Sequence, residues 1–347
     1  MLAPPPHPRN LEASFRDLGS ARPDVRASAI EDLSRHARAD DDVKKRAIPL
    51  LEKRLADEHP RVRAAAAVAI GELQAMEVVP AVLLAADDDD AYVRQMALNA
   101  LGELGDARAL PRLRRATSDK RPEMRYQAVI ALSRVAAADD DEIGQVLLAA
   151  TKDDDDAVAH IALRVAEERL DAGKPADPRL VTRARALVAS ASPHLALVAA
   201  IFLGKAADEA GHALLMRVVR GEKIGGEAPE REDEQAAVEL AGELGLVEAT
   251  PHLERRAWGV MRFVKDTCSF HAKIALARMK HPRAIAEIMR DLESTRPDVL
   301  GAAVVAAGRA RIAEARAILE RLPTVAMDPE LVREALARLE RAANEQA

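Results

Sequence analysis

The chain has 347 residues; 49% are hydrophobic, only 2% are aromatic, and the formal net charge is −6. Ala, Leu and Val must therefore do nearly all the packing, which suits thin layers of closely approaching helices and excludes an aromatic-rich core. The acidic balance has the wrong sign for general phosphate-backbone binding. A single cysteine, Cys268, excludes an internal disulfide framework and any Cys-rich zinc site.

Residues 1–10 open with Met1-Leu2-Ala3-Pro4-Pro5-Pro6-His7-Pro8, which has neither a basic nor an apolar stretch. They read as a Pro-rich tail, not a signal peptide. No run approaches 18 uninterrupted apolar residues, so no membrane span is predicted and the expected setting is cytoplasmic.

From Pro23-Asp24-Val25-Arg26 onward the sequence repeats itself. Val62, Val93 and Met124 stand 31 residues apart, and Asp57, Asp88, Asp119 and Arg63, Arg94, Arg125 keep the same step. A further copy begins at Asp153. After each block comes an Ala-rich segment such as Ala100-Leu101-Gly102-Glu103-Leu104, with apolar residues at i, i+3, i+4 and i+7, the pattern of a buried helical stripe. Shorter Leu-rich segments such as Ala107–Leu113 alternate with these. Pro60, Pro122, Pro193, Pro297 and Pro329 stand where a first-turn proline is tolerated. One helical hairpin cannot bury its own stripe, so a stack is required, and the charged segment from Pro329 suits an outward-facing cap.

The Asp-x-x-x-x-Val-Arg blocks and the Ala-x-x-Ala-Leu-Gly-x-Leu-Gly-Asp run from Ala97 to Asp106 resemble the HEAT family, within it the bacterial HEAT-like repeats related to phycobilisome-lyase repeats. The resemblance implies an all-α, right-handed α-solenoid of about ten HEAT-like helical hairpins. It also implies that Asp57, Arg63, Asp88, Arg94, Asp119 and Arg125 form a structural ladder between neighbouring hairpins. Residues 11–170 hold the regular repeats and residues 171–347 degenerate ones. A family of this kind specifies a fold, not a function.

Departures from the pattern are where function is sought. The acidic turns, Asp40–Asp42, Asp87–Asp90, Asp139–Glu142 and Asp153–Asp156, lack the spacing and glycine of an EF-hand loop and read as helix N-terminal charge. An insertion at residues 221–231, rich in Gly and charge, reads as a flexible loop on one rim. Residues 251–290 carry nine bases against three acids, with Trp258, Phe263 and Phe270 among them. Trp and Arg are enriched in interface hot spots, so Arg255, Trp258, Arg262, Phe263 and Lys265 are candidate partner-binding residues. The alternative is that the aromatics fill a wider gap beside the insertion while the bases answer the acids before it.

No catalytic, cofactor or metal site is predicted. Gly-x-Ser-x-Gly, the phosphate-loop motif and His-Glu-x-x-His are all missing. Cys268 and His271 stand one helical turn apart, but Cys268 occupies the position of Val62 and Val93 and reads as a buried apolar residue. The expectation is a non-enzymatic scaffold that binds another protein, with no cofactor. The alternatives are nucleic-acid binding through residues 251–290, against which the acidic total argues, and a lyase-like, chromophore-handling role by family analogy.

Overall fold

The computed structural model of the chain describes residues 10–136, 140–190, 192–259, 267–322 and 328–346. The described residues are helices and connecting turns, apart from one isolated β-bridge, and the chain divides into two compact units at Leu180/Val181. Each is a stack of helical hairpins.

In the first unit the hairpins are α1 (Leu11–Asp17) with α2 (Pro23–Ala39), α3 (Asp41–Arg54) with α4 (Pro60–Glu72), and α5 (Val79–Ala85) with α6 (Ala91–Leu104). Two more follow: α7 (Leu110–Ala116) with α8 (Pro122–Val135), and α9 (Asp140–Ala150) with α10 (Asp156–Asp171). The second helices pack in succession, α2 on α4 on α6 on α8 on α10. Prolines open α2, α4 and α8, where their missing N–H is one that the helix leaves unpaired.

The acidic turns divide their work. Asp90 caps α6 by accepting the Tyr92 and Val93 N–H groups at 2.8 and 3.2 Å, and Asp155 caps α10 in the same way. Asp40 is both the last link of α2 and the cap of α3. The carboxylates of Asp40, Asp90 and Asp155 therefore serve orphan backbone donors. Asp139 lies outside the described residues.

The second unit takes in most of α11 (Pro178–Leu187), followed by α12 (Pro193–Lys205), α13 (His212–Val219), α14 (Arg231–Glu243), α15 (Thr250–Trp258) and α16 (Ser269–Arg278). It ends with α17 (Pro282–Asp291), α18 (Pro297–Arg309), α19 (Arg316–Leu319) and α20 (Pro329–Gln346). Here α12, α14, α16, α18 and α20 form the second-helix layer.

One packing device is common to both units. A β-carbon on Gly102 of α6 would lie 2.8 Å from the Ala131 Cα of α8, and one on Gly242 of α14 would lie 2.4 Å from the Ala275 Cα of α16. The glycine in the Ala-Leu-Gly or Leu-Ala-Gly signature is thus the place where successive second helices touch backbone to backbone.

The insertion at residues 221–231 contains a turn of defined backbone geometry. Ile224 and Glu227 exchange two backbone hydrogen bonds of 2.9 and 3.0 Å around Gly225 and Gly226, whose φ values are 59° and 90°. Only glycine adopts two such angles in succession without cost, and they make the tight turn of a miniature hairpin. Ile224 is buried against a cluster containing Leu197, Leu215 and Val218, and Arg217 donates to the Lys223 carbonyl at 3.0 Å. Apolar burial of a single side chain anchors the segment.

Candidate functional site

In the first unit, guanidinium groups link successive hairpins. Arg26 on α2 forms two bonds with Asp57 in the α3–α4 turn, at 2.7 and 3.0 Å. Arg63 on α4 does the same with Asp88 at 2.7 and 2.8 Å, and Arg125 on α8 with Asp153 at 2.6 and 2.7 Å. Each arginine also donates to a carbonyl in the turn preceding its own helix, as Arg63 does to Asp57 at 2.9 Å. Burial pushes the Asp57 and Asp88 carboxyls up, but their arginine partners and the N–H two residues ahead outweigh it and hold both below the ordinary value. The Arg125 guanidinium likewise lowers Asp153. Arg94 breaks the series. Its side chain donates to the Asp88 and Asp89 carbonyls at 2.7 and 2.9 Å, while Asp119 accepts the Arg121 N–H at 2.9 Å.

Among the described residues of the basic segment in the second unit, several side chains are paired internally. The Trp258 indole N–H donates to Glu287 Oε2 at 3.0 Å, the Arg283 guanidinium lies 4.1 Å from the centre of its ring, and His281 packs 5.3 Å away. Lys273 and Arg283 both reach Glu287, at 2.8 and 3.1 Å. Burial raises the Glu287 carboxyl, but hydrogen bonds from Lys273, Trp258 and Arg283 prevail and bring it down to about 2. Arg256 donates to the Val218 and Val219 carbonyls at the end of α13 and to Glu234 at 2.8 Å. Arg290 pairs with Asp291 at 2.9 Å. Of the sequence-marked partner residues, Arg255 is exposed and Trp258 half-buried, while Arg262, Phe263 and Lys265 lie outside the described residues.

Cys268 is fully buried ahead of α16, and burial pushes its thiol up to about 12. His271 turns away from it to meet Glu239 at 2.5 Å, and Arg309 bonds the other oxygen of that carboxylate at 2.9 Å. These three side chains join α14, α16 and α18. Among the described residues no three His, Cys, Asp or Glu side chains converge as metal ligands.

The second-helix layer of the first unit contains a groove of about 680 Å³ running along α2 and α4 and reaching the start of α6. Ala64, Ala65, Val68 and Ala69 are among the small side chains lining it. Arg61 and Tyr92 mark one end, and Arg35, Arg38 and Glu72 the other, with Glu31 between. Several of these charges are already used. Glu72 accepts the Ser34 hydroxyl at 2.7 Å, Arg35 pairs with Asp32 at 2.8 Å, and Asp90 is occupied as a helix cap. Tyr92 is 56% exposed, which is unusual for an aromatic in a chain so poor in them. No repeated motif marks this groove. The available signal was Tyr92, an aromatic at the position held by Arg61 and Glu123 in neighbouring repeats.

Stacked helical hairpins joined by an arginine–aspartate ladder define a repeat protein of the α-solenoid class. The family model for HEAT repeats matches residues 15–95 and again 79–167. Over that span the sequence matches HEAT repeats. None of the curated proteins matches the sequence. Among solved structures, YibA of E. coli is similar at 18% identity and a TM-score of 0.51, covering 78% of this chain and 93% of its own. At that identity the likeness speaks to fold alone. Two others are the CpcE–CpcF complex of phycocyanin lyase from Nostoc sp. PCC7120 (17% identity, TM-score 0.46, 80% of this chain and 98% of that one) and an engineered protein (16%, 0.42, 95% and 98%). Among the described residues no helix is long and apolar enough to cross a membrane.

Proposed function

We propose that the chain is a non-catalytic scaffold that docks a segment of a partner protein in the groove along α2 and α4. The observation carrying this reading is the groove itself, with its floor of small side chains, charged ends and an exposed tyrosine at one end. Alanine and valine let another backbone approach closely, and Tyr and Arg are among the residues richest in binding energy at interfaces. Binding rather than turnover fits the buried, high-pKa Cys268 and the use of His271 in a bond between helices. The acidic balance of the chain suits a cytoplasmic setting.

The competing location for the same function is the cluster Arg255, Trp258, Arg262, Phe263 and Lys265. The internal engagement of the Trp258 indole and ring favours the groove. The internal pairing of Arg256, Lys273, Arg283 and Arg290 also takes these four cations out of the positive charge that the nucleic-acid alternative would use. The test is to fill the groove. Ala65→Arg projects a long side chain from its half-buried floor, and cross-linking followed by mass spectrometry would compare partners bound by this variant and by the unaltered chain. Loss of those partners with the helical spectrum unchanged is expected. Retention of every partner would remove the groove from consideration.

A further inference from the structure

We infer that the second unit opens at one seam, between α16 and α18, with α18, α19 and α20 parting from the helices before them as one piece and Glu239 as the latch. The inference follows from how the second-helix layer of this unit is joined. At the contact position α12, α14 and α18 carry Gly204, Gly242 and Gly308. A β-carbon on Gly242 would lie 2.4 Å from the Ala275 Cα, and one on Gly308 would lie 2.7 Å from the Ala335 Cα of α20. Helices α14 and α16 are thus locked backbone to backbone, and so are α18 and α20. Between the two pairs the glycine is replaced. The same position of α16, nine residues after Cys268 as Gly102 is nine after Val93, holds the buried Ala277. Its methyl group fills the space that a glycine leaves for the next backbone, and α16 packs on α18 only thinly.

Polar bonds show on which side of the seam α17 stays. Glu287 of α17 takes the Trp258 indole N–H of α15 and the Lys273 ammonium of α16, and His281, just ahead of α17, meets Glu254 of α15 at 3.0 Å. These bonds hold α17 to the earlier helices, so opening must also part it from α18, against which it packs. On the other side α19 and α20 pack together and follow α18. The turn at residues 292–296 joins the two sides. Across the seam runs the nearly buried Glu239 carboxylate. It reaches from α14 past α16, where it binds His271, to Arg309 at the end of α18. On opening, Glu239 loses Arg309 and regains water while His271 still answers it. Opening therefore breaks one charge-assisted bond and a thin apolar contact, whereas the Gly–Ala contacts within each pair survive.

Native-state hydrogen exchange of the full chain at low urea concentrations, read by mass spectrometry, tests this. Peptides from α18 and α20 should exchange through one shared opening, at least about tenfold faster than those from α14 and α16 and with a weaker urea dependence than global unfolding. Two variants then separate the seam from the rest of the unit. Arg309→Ala removes a bond that the opening breaks, so exchange of α18 and α20 should speed up by about tenfold. Glu287→Gln weakens bonds that persist in the open form, so it should speed exchange of α14 and α16 while leaving α18 and α20 unchanged. Both side chains are partly exposed, so each variant should keep the helical spectrum. Simple fraying from the chain's end would instead give protection that falls stepwise from α16 to α18 to α20, and would overturn the seam. Equal protection from α14 through α20 would do the same. So would exchange of α18 and α20 that is indifferent to Arg309→Ala, or that rises with Glu287→Gln as much as exchange of α14 does.

Discussion

The two units solve the same packing problem with different electrostatics. In both, successive second helices touch where a glycine faces an alanine, at Gly102 and Ala131 in the first unit and at Gly242 and Ala275 in the second. In the first, one rule ties hairpin to hairpin at three junctions, an arginine near the start of one second helix reaching an aspartate in the next turn, with Arg94 the exception. In the second, each junction has its own arrangement: Arg256 with Glu234, Glu239 with His271 and Arg309, Glu287 with Trp258, Lys273 and Arg283. The steric requirement is set by helix geometry and tolerates little variation. The charge requirement is only that each buried polar group find some partner, which many side chains satisfy.

That contrast can be broken most severely at the shared contact. Gly242→Val places methyl groups into the Ala275 backbone and should cost about 3 kcal/mol, with Gly102→Val costing a comparable amount. Urea denaturation followed by circular dichroism measures both. Similar losses would establish the glycine contact as common to the units; a harmless Gly242→Val would show that the second unit packs by a different rule.

The next largest effect concerns acid. Glu287 has a carboxyl held at about 2 in the fold against an ordinary 4.5, so its contribution to stability is complete above pH 4.5 and is lost as pH falls toward 2. Glu287→Gln should therefore flatten the dependence of chemical stability on pH across that window while lowering stability near neutrality. An unaltered acid profile would mean that Lys273, Arg283 and Trp258 do not act through this carboxylate.

Within the first unit, Arg63→Ala strands a largely buried Asp88 carboxylate and should cost about 2 kcal/mol. Arg94→Ala removes only bonds to carbonyls and should cost about 1 kcal/mol. Equal losses would mean that the carbonyl bonds, not the ion pair, supply the linkage. The smallest effect is expected at Arg255, an exposed side chain, where Ala should change stability by less than about 0.5 kcal/mol.

The hairpins were legible because the step of 31 residues places Val62, Val93 and Met124 in the same buried layer, and apolar burial leaves a periodic trace in any sequence. The acidic turns were legible as helix caps for the same local reason. Trp258 was visible but its role was not, because its partner Glu287 is 29 residues away and follows no repeat. The turn within the insertion was not legible because composition weighs two glycines and many charges above one isoleucine, and Ile224 packs into the core. The groove left only Tyr92 as a trace. It depends on where Ala64, Ala65, Val68 and Tyr92 stand once α2, α4 and α6 are stacked, and that arrangement exists only in the folded chain.

Because Trp258 is the chain's one tryptophan and both tyrosines, Tyr92 and Tyr126, belong to the first unit, the molecule carries a built-in optical label on one unit only. Excited at the red edge, where tyrosine does not absorb, its emission reports the surroundings of the indole between Glu287, Arg283 and His281. Circular dichroism sums helices from both units. A melting curve recorded by each signal therefore distinguishes a chain that unfolds as one cooperative body from one whose units part company at different temperatures.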